Sequence, residues 1–297
     1  MRPNFSQNPF TISTMQRRTF LQLTSLASLG IMTGCATTPT PAKARFGLQL
    51  YSLRDVIFTD PKAVLKQVAD FGYTQIESYE GDLGIYWGMT NTEFKAYMDD
   101  LGMELVASHF NMNADLERKV DEAAAVGVKH LICPWIGPQE TLDAYKSFAD
   151  SFNRAGEICA KAGIRFAYHN HDYSFKPIDG VMGQTVLLDN TDPKLVDFEM
   201  DMYWVAVANE DPAAWMKAYP GRFTHAHIKD KGASADGGNE SVTLGTGSID
   251  FASLIAAGKA NGMATFIVEQ EQYTGTTPMD SARENAVYME KMLKVEG

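Results

Sequence analysis

All six of the chain's histidines stand in or beside short apolar runs, and four of them fall in pairs one residue apart: His169-Asn170-His171 and His225-Ala226-His227. Carboxylates repeat that spacing in Glu199-Met200-Asp201 and Glu269-Gln270-Glu271. In an extended strand residues i and i+2 share a face, so each pair sends two polar groups in one direction. A lone His-x-His is as a rule two satisfied core imidazoles. Two such pairs, with carboxylates between and after them, describe instead a ring of donors for one divalent metal. Nitrogen with oxygen suits Mn, Co, Zn or Fe; Mg is less suited, because it prefers all-oxygen sites.

For these groups to converge, their strands must lie side by side and point one way. From Arg45 onward apolar runs alternate with helical patterns at a spacing of roughly 30 residues, that of a strand–helix–strand unit. The candidate strands are Phe46–Leu50, Thr74–Ser78, Glu104–Ser108, His130–Cys133, Arg165–His169, Leu195–Met200, Phe223–Ile228 and Thr265–Glu269. Between them stand helix starts at Asp60-Pro61, Thr90-Asn-Thr-Glu93, Asp211-Pro212 and Asp250, and stops at Gly72, Gly102 and Gly262. Strands alternating with helices imply a parallel sheet. Eight units in roughly 250 residues fit a closed (β/α)8 barrel. The expected fold is therefore α/β, a single TIM barrel over residues 45–297. No Gly-x-Gly-x-x-Gly follows the first strand, where a dinucleotide site would need it. The Gly245-Thr246-Gly247 loop is too little for a phosphate site.

A barrel of this kind carries its active site at the C-terminal strand ends. Those ends hold Gln49, Tyr51 and Arg54, then Glu77, His109, Cys133-Pro134-Trp135, the two histidine pairs with Lys229, and the two acidic pairs. His130 opens its strand at the opposite end and reads as structural. Trp135 can stack on a sugar ring or pack the barrel. Cys133 and Cys159 read as small buried hydrophobes, and Glu271 as a solvated acid. Glu199 reads as deeper support for the ligands, and Asn170 faces outward to support backbone.

The N-terminus has a separate purpose. Arg17-Arg18-Thr19-Phe20-Leu21 resembles a twin-arginine export motif, and the apolar run from Leu21 ends in Met32-Thr33-Gly34-Cys35, which resembles a bacterial lipobox. Residues 1–35 are thus expected to be an export signal with lipidation at Cys35, and 36–44 a flexible linker. The protein is expected outside the cytoplasm of a bacterium, periplasmic or membrane-tethered, touching the membrane only through a lipid. Twenty-six Lys and Arg against 37 Asp and Glu give a net charge of −11, which speaks against nucleic acid as a partner.

Taken together, Phe46-Gly-Leu-Gln-Leu-Tyr-Ser-Leu-Arg54, Tyr168-His-Asn-His-Asp172, Phe198-Glu-Met-Asp-Met-Tyr-Trp204, His225-Ala-His-Ile-Lys-Asp230 and Val268-Glu269 resemble the sugar isomerase/epimerase branch of the xylose isomerase-like barrels. The resemblance covers about residues 45–295. It implies one metal held by His169, Asp201, His227 and Glu269, with His169 standing where the family usually has Glu. Whether His169 or His171 is the nearer ligand stays open. Trp204 occupies the place of a second family histidine. Substrate contacts are implied for Glu77, His109, His171 and Lys229, and Gln49, Trp135 and Trp204 join them at the same rim. Glu269 is the first candidate for the base, with Lys229 or His171 as proton donor. The implied activity is a metal-dependent isomerase or epimerase of a non-phosphorylated sugar, acting through an enediolate. A lyase or hydratase of a 3-keto-sugar or glycoside would share that intermediate, and a tethered sugar-binding protein is the third reading. A homo-oligomer is compatible with all three.

Overall fold

The structure, a computed structural model, describes residues 44–294. The expected export signal over 1–35 with Cys35, and the expected linker up to residue 43, lie outside the described residues. Eight parallel strands close into a barrel. They are β1 (Gly47–Gln49), β2 (Gln75–Tyr79), β3 (Glu104–His109), β4 (His130–Cys133), β5 (Arg165–His169), β6 (Val196–Asp201), β7 (Phe223–Ile228) and β8 (Thr265–Val268). Each pairs with its neighbours in sequence, and β8 returns to β1. All eight expected strands are present, to within one residue at each end.

The helix signals act as their chemistry requires. The Asp60 carboxylate accepts from the Ala63 N–H at 3.0 Å, Pro61 opens the helix, and Gly72 ends it at φ +111°. Thr90 and Glu93 form a reciprocal capping box, and Asp211 and Asp250 cap two later helices. Outward-facing strand residues pack against this helical ring. Phe152, on the helix Leu142–Lys161, stacks on Tyr168 at 5.1 Å and leans on Phe166 at 5.2 Å. Each such ring stabilises the fold by about 1.5–3 kcal/mol when fully buried.

Two register shifts interrupt the sheet. Between β2 and β3 the pairing steps from Ile76–Leu105 to Glu77–Ala107. Between β6 and β7 it steps from Phe198–Phe223 to Glu199–His225, which leaves Thr224 as one extra residue. Outside the barrel the chain adds two antiparallel pairs, Pro177–Ile178 with Val181–Met182 and Asp230–Ala233 with Asn239–Val242. Among the described residues no helix is long and apolar enough to cross a membrane.

Candidate active site

Strands β5 to β8 bring His169, Asp201, His227 and Glu269 together inside the barrel mouth. Asp201 is fixed first. Its Oδ1 accepts the Trp204 N–H at 3.0 Å, and Asn170 bonds both its backbone N–H and its carbonyl at 3.2 Å. Its Oδ2 is buried and accepts no hydrogen bond. That oxygen lies 3.8 Å from His227 Nδ1 and 3.9 Å from His169 Nε2, while His227 Nδ1 is 3.0 Å from Glu269 Oε2. Asp201, His227 and Glu269 offer donor atoms within 4.8 Å of one another. Two imidazole nitrogens and two carboxylates, one with a buried oxygen that accepts no hydrogen bond, are a donor set that fits a divalent ion.

The far side of each imidazole is held by a second carboxylate. Glu199 Oε2 is 3.1 Å from His169 Nδ1 and 2.8 Å from His109 Nε2. Glu77 Oε1 is 2.7 Å from His227 Nε2 and accepts from Gln49 Nε2 at 2.6 Å. Carboxylates in that position orient a metal-binding ring and fix its tautomer. Their charges diverge. Burial opposes ionisation of Glu77, but His109 and His227 outweigh it and bring its carboxyl down to about 2. Burial and the neighbouring Glu77 push Glu199 well above the usual carboxylate range. Burial likewise opposes a charge on His227, but Glu199, Glu269 and Glu77 override it and raise its pKa well above the usual imidazole value. His109, His169, Glu199 and His227 form a second donor cluster, and His227 belongs to both.

Lys229 is completely buried. Its ammonium lies 3.0 Å from Glu269 Oε2 and 3.1 Å from Asp201 Oδ2, and it donates to Glu271 Oε1. The rings of Tyr203 and Trp204 flank it at 5.1 and 5.0 Å. Glu271 is therefore an ion-paired wall residue and not a solvated acid. Burial works against ionised Glu269, but Lys229 and His227 outweigh it and hold the carboxyl well below its ordinary range. Above this group opens a cavity of about 650 Å³, a size that holds a small ligand. His171 stands in its wall, its ring 4.6 Å from Trp135 and 5.2 Å from Trp204. Burial brings its pKa down to about 3, so it is neutral near pH 7.

Residues 65–292 match the family described as xylose isomerase-like TIM barrel. The chain belongs to that family. An inosose dehydratase of Lactiplantibacillus plantarum is 28% identical over 156 residues, 46% of this chain and 48% of that protein, so the chain spans about half the length of that curated relative. The crystal structure of a sugar phosphate isomerase/epimerase from Parabacteroides distasonis superposes with a TM-score of 0.73 at 29% identity, covering 87% of this chain and 97% of that one. The IOLI protein, whose crystal structure carries a zinc atom, shares the fold at a TM-score of 0.66 and 14% identity, covering 85% and 97% of the two chains.

In this xylose isomerase-like barrel the residues singled out from sequence divide by depth. His109, Trp135, His169, His171, Trp204 and Glu269 line the cavity. Gln49, Glu77, Asp201, His227 and Lys229 lie beneath its surface, each with 0% exposure. His225 is not at the rim. Two residues of strand place it about 6.6 Å below His227, where its ring meets His130 at 4.1 Å. His130 in turn contacts Asp197 at 2.9 Å, consistent with a structural role. Cys133 and Cys159 are buried, and burial pushes both thiols up to about 12, as befits inert packing. Sequence reasoning passed over Tyr79, Glu80, Asn111 and Asn113, which also line the cavity. Glu80 pairs with the buried Lys119 at 2.7 Å and accepts the Asn111 N–H at 2.8 Å. Their signal was present, since all four sit at or just past the ends of β2 and β3.

Proposed function

We propose that the protein is a metal-dependent isomerase or epimerase of a non-phosphorylated sugar, with proton abstraction beside a carbonyl as the key step. The observation that carries this reading is Glu269, a carboxylate on the cavity wall that Lys229 and His227 keep ionised. A divalent ion on His169, Asp201, His227 and Glu269 would supply Lewis acidity toward adjacent hydroxyl and carbonyl oxygens of the sugar. The chain's own groups do the rest. Glu269 accepts the carbon-bound proton and, in an isomerase, returns it to the neighbouring carbon; in an epimerase a second group across the cavity delivers a proton to the opposite face. Lys229 is covered, so it acts by holding the Glu269 oxygens in place and balancing negative charge that builds beside them. His171, neutral and on the wall, can exchange a proton with a substrate oxygen.

The cavity wall also supports the absence of phosphate on the substrate. Glu80, Asp172, Glu269 and Glu271 line it, and among the described residues neither Lys nor Arg does. A doubly charged phosphate would meet like charge there and no bidentate partner. The export signal accords with this, because sugars outside the cytoplasm mostly lack phosphate, and we place the protein there, tethered through Cys35.

A second reading, a dehydratase or lyase of a keto-sugar, is favoured by the inosose dehydratase relative. It shares the proton abstraction and differs in expelling a group from the next carbon. The test of both is to incubate metal-loaded protein with a panel of ketoses and 3-keto-glycosides in heavy water. Deuterium beside the carbonyl is the expected result, and the product separates the branches. No exchange with any of the panel would refute enolisation altogether.

A further inference from the structure

The antiparallel hairpin after β7 is built around a carboxylate that the proposed reaction does not use. Asp230 is 1% exposed. Its Oδ1 accepts the N–H groups of Lys231 at 2.8 Å and Ile249 at 3.1 Å, and its Oδ2 those of Gly245 at 2.9 Å and Gly247 at 3.0 Å. The Gly245-Thr246-Gly247 turn, unassigned from sequence, is the cradle for this group. A Cβ on Gly247 would stand 2.3 Å from Asp230 Oδ1 and 2.7 Å from the Lys231 carbonyl oxygen. Gly245 has φ +83°, and a Cβ there would meet the Tyr288 ring at 2.7 Å. Only glycine lets the loop close this far over the carboxylate.

The opposite strand of the hairpin reaches the other side of the site. Ser241, also 1% exposed, lies across from Lys231. Its hydroxyl accepts the N–H of Glu271 at 2.8 Å and of Gln272 at 3.1 Å, and donates to Gln272 Oε1 at 2.7 Å. One hairpin therefore starts at the residue bonded to Lys229 and holds the backbone of Glu271, the acid to which Lys229 donates. Burying a carboxylate is costly unless it is fully hydrogen-bonded, and closing a hairpin does not require one. Fixing two side chains relative to each other does require a rigid frame.

We infer that Asp230 and Ser241 are positioning residues, and that the hairpin is a frame which sets the Lys229–Glu271 ion pair and so keeps the ammonium against Glu269. The expected effect on turnover rests on the proposed reaction; the effect on Lys229 does not. The test uses full-length protein labelled with 15N-lysine. The buried Lys229 ammonium, with three carboxylate neighbours, exchanges slowly enough to be observed and is assigned by its loss in Lys229→Met. Asp230→Asn and Ser241→Ala should each shift or broaden that signal, while Asp236→Asn at the hairpin tip leaves it in place. Both variants should lower kcat about 10-fold, a fraction of what a misplaced catalytic group costs, with KM nearly unchanged. Ser241→Thr, which keeps the hydroxyl, should recover most of the loss. In a Lys229→Met background neither change should lower kcat further. An unaltered Lys229 signal in a folded Ser241→Ala protein would overturn the inference, as would kcat losses that multiply with that of Lys229→Met. If the wild type turns over no substrate, the proposed function fails while the ammonium signal still decides this point.

Discussion

Replacing Lys229 by Met removes one positive charge and almost nothing else. The unbranched stem keeps its place between Tyr203 and Trp204, so the apolar contacts survive. What is lost is the cation facing Asp201, Glu269 and Glu271. Removing one partner of a buried ion pair costs about 3–5 kcal/mol, because the remaining charge stays uncompensated. At about 2–4 °C per kcal/mol for a domain of this size, the melting temperature should fall by about 6–20 °C at neutral pH. The pH window follows from the two partners. The pKa of Lys229 is raised in the fold: burial opposes this, but Asp201, Glu269 and Glu271 prevail. Its contribution is therefore complete below the unfolded lysine value and lost as pH rises through the raised one. Glu269 is lowered, so its contribution is present above the unfolded carboxylate value and lost as pH falls. The gap between wild type and variant should be widest between about pH 5 and pH 10 and close on both sides. Turnover should fall by about 10²-fold, the lower range for deleting one preorganised electrostatic partner, while metal content by mass spectrometry stays near one ion per chain. Differential scanning fluorimetry across pH, with turnover measured on the same samples, decides the matter. Normal turnover with a lowered melting temperature would make Lys229 a purely structural cation, and no change in either would refute the network itself.

Glu269→Gln keeps the shape but removes the base, and should reduce turnover by at least about 10²-fold while retaining part of the metal. Asp201→Ala and His227→Ala should each lose most of the bound ion, and full occupancy in both would overturn the ligand assignment. Arg165→Met takes the guanidinium from Asp197, whose carboxyl burial would raise but which His130 and Arg165 hold below its ordinary value. It should destabilise by about 2 kcal/mol at pH 7. Urea melts should show that loss shrinking as pH falls below about 4, because the wild-type contribution disappears as Asp197 protonates. Cys35→Ser should move the protein from the membrane to the soluble fraction, and a variant that still sediments with membranes would refute the lipid anchor.

The strands were legible because they are short apolar runs that alternate with helices marked by capping residues and glycines, signals that act locally. The donor set was legible for the same kind of reason: the period-two spacing of Glu199 with Asp201 and His225 with His227 survives in the barrel as a shared inward face. What escaped depends on contacts between distant segments. The segment from Asp230 to Val242 is rich in Gly, Ser and Asp with no apolar alternation, so its hairpin could not be seen without the Asp230 cradle. Glu271 read as a solvated acid because its partner, Lys229, is 42 residues away in sequence. Counting strand ends treated His225 as a rim residue, although a residue two positions earlier on a rising strand lies a layer lower. Glu80, Asn111 and Asn113 are single polar residues beyond strand ends, and a single residue has no periodicity.

The extra residue Thr224 in β7 gives the donor set an arithmetic basis. Side chains on a strand alternate between the axis and the helices, so one added or missing position exchanges every one of them. Pairing Glu199 with His225 and Asp201 with His227 holds only because one residue of β7 is skipped on the way. Pairing Thr224 itself with Glu199 would leave every imidazole and carboxylate in the sequence, yet would set Ala226 opposite Asp201 and turn Ala226 and Ile228 to the axis in place of His225 and His227. The chemistry of this strand is thus written in parity as well as in residue type. A related chain that lacks this extra residue, aligned without a gap here, would have its ligands assigned to the wrong side of the sheet.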